Sequence, residues 1–198
     1  MKKIAMRTMF STTLPASVSN LLPEKNISAH QNWSHQILFH QPLIFPSIGA
    51  GVRLLDLGEI NPRNQAEEAA MATFVPMSGV SEKHSKEISG EIKPWSKIHK
   101  GYTHFSNGDV LLAKITPCFE NGKAAVVSGL EHDIGAGSTE FHVFRSISQF
   151  IYPGYVYLFL RSPLFRVKGE ASMTGTAGQK RLPTDYFRAL RHAITTYG

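Results

Sequence analysis

Asp109, Glu120 and Lys123 are the residues of this chain whose types best suit chemistry on a phosphodiester. Two carboxylates converging on a divalent ion, with a lysine to steady the phosphate, would make a metal-dependent nuclease site. They flank Gly108-Asp-Val-Leu-Leu-Ala-Lys-Ile-Thr-Pro-Cys-Phe-Glu-Asn-Gly-Lys123, which reads as a strand, a polar turn and a return strand. That reading separates Asp109, at the far end of the strand, from Glu120 at the tip. Glu91-Ile-Lys93 offers another Glu-x-Lys pair, just before Pro94. Cys118, the only cysteine, could act as a nucleophile beside His104 or His142, but its apolar neighbourhood suits an inert small hydrophobe. His132-Asp133 and Glu140-x-His142 could meet, yet no Cys-x-x-Cys or His-Glu-x-x-His spacing supports a metal site. His30, His35 and His40 recur at a spacing that does not keep three imidazoles on one helical face. Asn61-Pro62-Arg63 does not supply the catalytic run of an amino-methyltransferase. No catalytic set, metal or cofactor is expected.

Phosphate binding without catalysis is better supported. Ala171-Ser-Met-Thr-Gly-Thr-Ala-Gly-Gln-Lys-Arg181 predicts a tight loop with exposed backbone N–H groups. Thr174, Gly175, Thr176, Gly178, Gln179, Lys180 and Arg181 are its candidate contacts to a nucleic-acid backbone. It matches neither a Walker A motif nor a dinucleotide fingerprint, and an ordinary helix-to-strand connection would read the same way. Net charge is +6, unevenly distributed. Residues 145–198 hold eight Lys or Arg against Glu170 and Asp185, whereas residues 56–144 are net acidic. A basic C-terminal quarter is a reasonable polyanion footprint.

The elements that must position these residues follow from pattern. Residues 1–50 are an irregular extension punctuated by Pro15, Pro23, Pro42 and Pro46, and order is expected from Val52. Asp109–Ile115, Ala124–Val127 and Ser138–Arg145 predict strands; the first, nearly continuously apolar, should be covered on both faces. Asn121-Gly122 predicts a tight turn between the first two, and Gly108-Asp109 a turn that leaves Asp109 unburied. Phe74–Met77 predicts an extended segment, with Pro76 arguing for a sheet edge. Residues 81–100 read as an exposed charged loop. Gly154–Arg161 has helical spacing, and Ser162-Pro163 starts a new helix, with serine as cap and proline at its first position. The stripe Tyr155, Leu158, Phe159, Leu164 and Val167 should pack on the sheet. Three or four strands plus helices predict a mixed α/β fold. The length fits one domain, with no apolar run long enough to span a bilayer and no sustained signal-peptide core. A cytoplasmic location is expected, with which a single cysteine agrees.

Four separated blocks carry a resemblance. They are Gly101-Tyr-x-x-Phe-x-x-Gly-Asp through Lys123-Ala-Ala-Val-Val127, Gly137-Ser-Thr-Glu-Phe-His-Val-Phe-Arg145, Tyr157-Leu-Phe-Leu-Arg-Ser-Pro-Leu-Phe-Arg166 and Met173-Thr-Gly-Thr-Ala-Gly-Gln-Lys-Arg-Leu-Pro183. In this order they resemble the target recognition domain of the specificity subunit of type I restriction-modification systems. Leu54-Leu-Asp-Leu-Gly-Glu-Ile60 and Val75-Pro-Met77 fit the opening of that domain, and the likeness covers about residues 52–188.

The resemblance implies a single globular domain over residues 51–190, with a mixed sheet or barrel-like β-core, flanking helices and a short tail at 191–198. It implies sequence-specific binding of double-stranded DNA, reading half of a bipartite target, without catalysis or cofactor. The implied partners are DNA, a modification (methyltransferase) subunit and, indirectly, a restriction-translocase subunit. Asp109, Lys114, Glu120, Asn121, Gly122 and Lys123 match the block implied to be scaffold. Base readout is implied for the variable loop near residues 78–100, where Lys83, His84, Lys86, Lys93 and Lys97 are candidates. The Pro-Pro segment and long spacer helix of the family have no counterpart here, so pairing through a coiled coil is not expected. A truncated specificity module acting as a protein-interaction partner is the alternative, and a metal-dependent nuclease a lesser one.

Overall fold

Val110–Ala113, the strand signalled most strongly by sequence, is fully buried and lies at the centre of the fold. In the computed structural model, which describes residues 52–83, 88–147, 152–176 and 178–192, it is flanked by strands on both sides and by packed layers on both faces. Strands β1 (Val52–Arg53) and β10 (Arg191–His192) pair with each other, joining the beginning and end of the compact unit Gly51–His192. Arg191 and His192 therefore belong to the paired body rather than to a tail.

One sheet has the order β2 (Gly58–Ile60), β9 (Phe141–Ser146), β6 (Val110–Ala113), β7 (Ala124–Val126), all antiparallel. A second has the order β4 (Glu91–Pro94), β3 (Met71–Val75), β8 (Ile134–Gly137), β5 (Thr103–Ser106), with β3 and β8 parallel. The β-core is thus two stacked sheets. Leu111, Ala113, Ala125, Phe141 and Val143 from the first meet Val75 and Phe105 from the second. The alternate residues Val110, Leu112 and Phe144 face the helical layer. Burial of each such large side chain contributes about 1.5–3 kcal/mol.

The helical layer comprises α1 (Leu54–Leu57), α3 (Pro153–Arg161), α4 (Pro163–Ser172) and α5 (Thr184–Ala189). Helix α2 (Trp95–Ile98) instead covers the outer face of the second sheet. Ser162 caps α4, its side chain accepting from the Phe165 N–H at 3.3 Å, with Pro163 at the first position. The packing face differs from the expected stripe. Val156, Tyr157, Leu160, Phe165 and Gly169 are buried, whereas Leu158, Leu164 and Val167 are exposed.

Several short elements depart from expectation. Strand β3 ends before Pro76 and is interior, between β4 and β8. The stretch read as an exposed loop contains β4 and α2, with Trp95 and Ile98 buried. The connection after β6 is not a two-residue hairpin. The Phe119 N–H donates to Ile115 O, and the Asn121 N–H to Pro117 O, forming a helical turn. It closes when the Gly122 N–H donates to Phe119 O and the Lys123 N–H to Cys118 O, the paired bonds that end a helix on a left-handed residue. Gly122 supplies that conformation with φ 70°.

Candidate nucleic-acid interface

Strand register gathers the connections at one end of the two sheets. Val75 pairs with Gly137, Gly137 with Thr103, and Phe74 with Glu91. The 76–90, 99–102 and 138–140 connections therefore leave the second sheet together. In the first sheet Ala113 pairs with Phe141 and Leu112 with Ala124, so the 114–123 turn emerges at this same end. Loop 174–181 is tied to it: the Thr116 N–H donates to Lys180 O at 3.0 Å, and the Leu182 N–H to Lys114 O at 2.8 Å.

The candidates distribute accordingly. Lys83, Lys114, Glu120, Asn121, Gly122, Lys123 and the described part of loop 174–181 converge at this loop end. Lys93 lies within β4, its amino group 4.5 Å over the Phe74 ring. Lys97 is on α2, which follows the opposite end of β4, where Pro94 pairs with Met71. His84 and Lys86 lie outside the described residues, as do His30, His35 and His40.

The 174–181 loop is internally organised. Thr174 and Arg181 exchange N–H···O bonds of 3.0 and 2.8 Å, and the Gln179 N–H donates to Thr176 O. These three donors are engaged within the loop itself. Gly175 and Gly178 have φ 123° and 80°, and Thr174, Thr176, Gln179 and Lys180 are exposed. The Arg181 guanidinium forks onto Glu140 with bonds of 2.8 and 3.0 Å. This contact holds the Glu140 carboxyl below its ordinary pKa and raises that of Arg181. Half-buried Lys114 stands beside this pair; burial lowers its pKa, Glu140 counteracting and Arg181 reinforcing the shift.

Much of the basic surplus has a structural partner. Arg145 grips Asp109 at 2.7 and 2.9 Å and also donates to Asn64 and Ser106. Asp109 is buried, contrary to expectation, and accepts from the Ser106 N–H at 2.7 Å. Burial pushes its carboxyl upward while Arg145 opposes the shift. Arg166 donates to Glu120 O, and Arg161 to Glu82 O, both backbone carbonyls. Lys83, Lys100 and Lys180 remain exposed at the loop end.

The hypothetical chemical sets do not assemble. Asp109 and Glu120 lie at opposite ends of β6. Cys118 packs against the core between the sheets, whereas His142 stacks on Phe187 and His104 meets Trp95 at a tilt of 58°. The His104 Nδ1 accepts from the Asn64 N–H, leaving Nε2–H to donate to His99 O, a neutral tautomer stabilised by burial. Glu91 pairs with Lys93 at 2.9 Å on the β4 edge. Among the described residues no three His, Cys, Asp or Glu side chains are grouped to hold a metal. Nor is any helix among them long and apolar enough to cross a membrane.

Sequence reasoning missed an open groove of about 500 Å3, lined by Phe74, Met77, Lys100, Tyr102, Ser138 and Thr139. Phe74 and Tyr102 meet edge to face at 5.0 Å. The Gly101-Tyr102 and Ser138-Thr139 pairs were visible in the sequence blocks, but their proximity required the β5–β8 pairing.

These features define a mixed α/β domain in which stacked sheets present connections from one end and helices back the first sheet. Over most of its length the chain is similar to specificity subunits of type I restriction enzymes. It is 45% identical over 148 residues to the EcoAI specificity subunit of Escherichia coli and 42% identical over 148 residues to the EcoEI subunit of the same organism. Each match covers 74% of this chain but 25% of the relative, so the chain spans about a quarter of those proteins' length. No protein-family profile matches.

Solved structures agree on the fold. A chain from a type I restriction-modification assembly aligns with TM-score 0.57 at 20% identity, over 73% of this chain and 38% of its own. The HsdS subunit from Thermoanaerobacter tengcongensis aligns with TM-score 0.54 at 20% identity, over 70% and 36% respectively.

Proposed function

We propose that residues 51–190 form a non-catalytic reader of double-stranded DNA, engaging one half of a bipartite target for a type I restriction-modification complex. The convergence of five connections at one end of the stacked sheets carries this reading. That end carries exposed Lys83, Lys100 and Lys180, and a groove in which Lys100 joins hydroxyl and aromatic groups, a chemistry suited to phosphates and base edges. The kinship with specificity subunits supports it. A modification subunit is the proposed protein partner, with the restriction-translocase subunit joining indirectly.

Phosphate contacts supply most of the affinity and make it salt-dependent. Selection from randomised duplexes at low and moderate salt tests the reading. The expected result is salt-sensitive binding with enrichment of a short sequence. Absence of both overturns it, as would duplex cleavage with magnesium abolished by Asp109→Ala.

A further inference from the structure

We infer that Arg161 is a positioning residue that sets sequence discrimination by orienting the backbone at Glu82 and Lys83, without contacting DNA itself. This rests on the proposed DNA-reading role of the loop end.

Arg161 is the last residue of α3, and its neighbour one helical turn back is Tyr157, buried in the core. The guanidinium lies 5.4 Å over the Tyr157 ring and donates to its hydroxyl. Its other donors reach across to a separate part of the chain, Nη2 to Glu82 O at 2.8 Å and Nη1 to Lys83 O at 3.4 Å. A planar fork can hold two successive carbonyls at a fixed angle, which a lysine ammonium cannot reproduce. Three of its five N–H groups are engaged, two by backbone carbonyls and one by the Tyr157 hydroxyl, so the guanidinium is fixed by protein groups on two elements.

A second brace comes from the β6–β7 connection. Lys123 Nζ donates to Met77 O at 3.3 Å and lies 3.7 Å from Glu82 Oε1. Asn121 donates to that same carboxylate oxygen at 3.4 Å. The base of the segment is closed by the Val80–Ile88 bridge and by the Ser89 N–H donating to Gly79 O at 2.8 Å. Exposed Glu82 and Lys83 are thereby aimed by a helix terminus on one side and a structured turn on the other. A base-reading side chain discriminates only if its backbone is held in register, which is the role of supporting contacts in a recognition site.

Hydrogen exchange and duplex selection on the full chain test the inference together. In Arg161→Ala, amides of residues 80–83 and 88–89 should exchange about tenfold faster, with those of β6 and β7 unchanged. Preference for the selected sequence over random duplex should fall about tenfold or more. Affinity for random duplex should stay within about twofold, with an unchanged salt slope. Arg161→Lys keeps the charge but not the fork, and should resemble Arg161→Ala in discrimination while preserving the fold.

Unchanged exchange, or a wild-type preference retained by both variants, overturns this inference alone. So does a uniform loss of affinity with a salt slope smaller by about one, which would make Arg161 a phosphate contact. A wild-type domain without any sequence preference overturns both this inference and the DNA-reading proposal.

Discussion

His142 is enclosed by polar groups that suit a neutral ring, and its burial disfavours a charged one. Its Nε2–H donates to Leu182 O at 2.8 Å, Nδ1 faces the Asn61 amide at 3.5 Å, and the ring stacks on Phe187 at 5.1 Å. Burial pushes its pKa down to about 4. An unfolded imidazole takes up a proton near pH 6.5, whereas the folded one resists until about pH 4. The stabilisation is therefore complete above pH 6.5 and is lost as pH falls toward 4, amounting to roughly 3 kcal/mol. Denaturant unfolding across this window should show a steeper loss of stability in wild type than in His142→Gln. Equal slopes would refute the neutral-ring assignment. Asp109 is an opposite case, a buried carboxylate beside the guanidinium of Arg145. Asp109→Asn keeps the shape but leaves Arg145 without its counter-charge, and should destabilise by about 2–4 kcal/mol. A double change with Arg145→Met should cost less than the sum of the two single changes, because their interaction is removed only once.

Glycine at Gly135 makes β8 possible and also makes it hard to read. A side-chain Cβ at Gly135 would lie 2.3 Å from Phe105 Cε2, so the strand can approach that ring only without one. Gly135→Ala should destabilise by about 1–3 kcal/mol through overpacking, measured as a lowered denaturation midpoint; an unchanged midpoint would show that Phe105 can move. The same contact explains why Ile134-Gly-Ala-Gly137 has no strand signature while the nearly continuous apolar run of β6 does. Helices α3 and α4 were legible in their boundaries because Ser162-Pro163 is a start signal. Their inward faces were not: in Tyr155-Val-Tyr-Leu-Phe-Leu160 every position is apolar or aromatic, so the pattern fits more than one face. Gly169, which contributes no hydrophobic signal, is buried against Phe119. At the site, the basic residues were visible but their partners were not. Pairing Arg181 with Glu140 or Arg145 with Asp109 requires contacts across 41 and 36 residues of sequence.

At the scale of the whole molecule, position relative to the sheet ends separates cations that composition treats alike. Lys100 and Lys180 stand on connections gathered at the loop end, whereas Lys97 is on the helix beyond the opposite end of β4. If the loop end meets the duplex, Lys100→Ala and Lys180→Ala should each weaken binding to every sequence and reduce the salt slope by about one. Lys97→Ala should leave both affinity and slope unchanged, although it removes the same formal charge. Titrating a selected and a random duplex over a salt series distinguishes the alternatives. Equal effects from all three changes would mean that net charge alone attracts DNA. An effect of Lys97→Ala alone would place the contact on the outer face of the second sheet. Loss confined to the selected duplex would instead assign Lys100 or Lys180 to base reading. Only a positional difference shared by both duplexes supports a phosphate-contacting loop end, since the three lysines differ in location and not in charge.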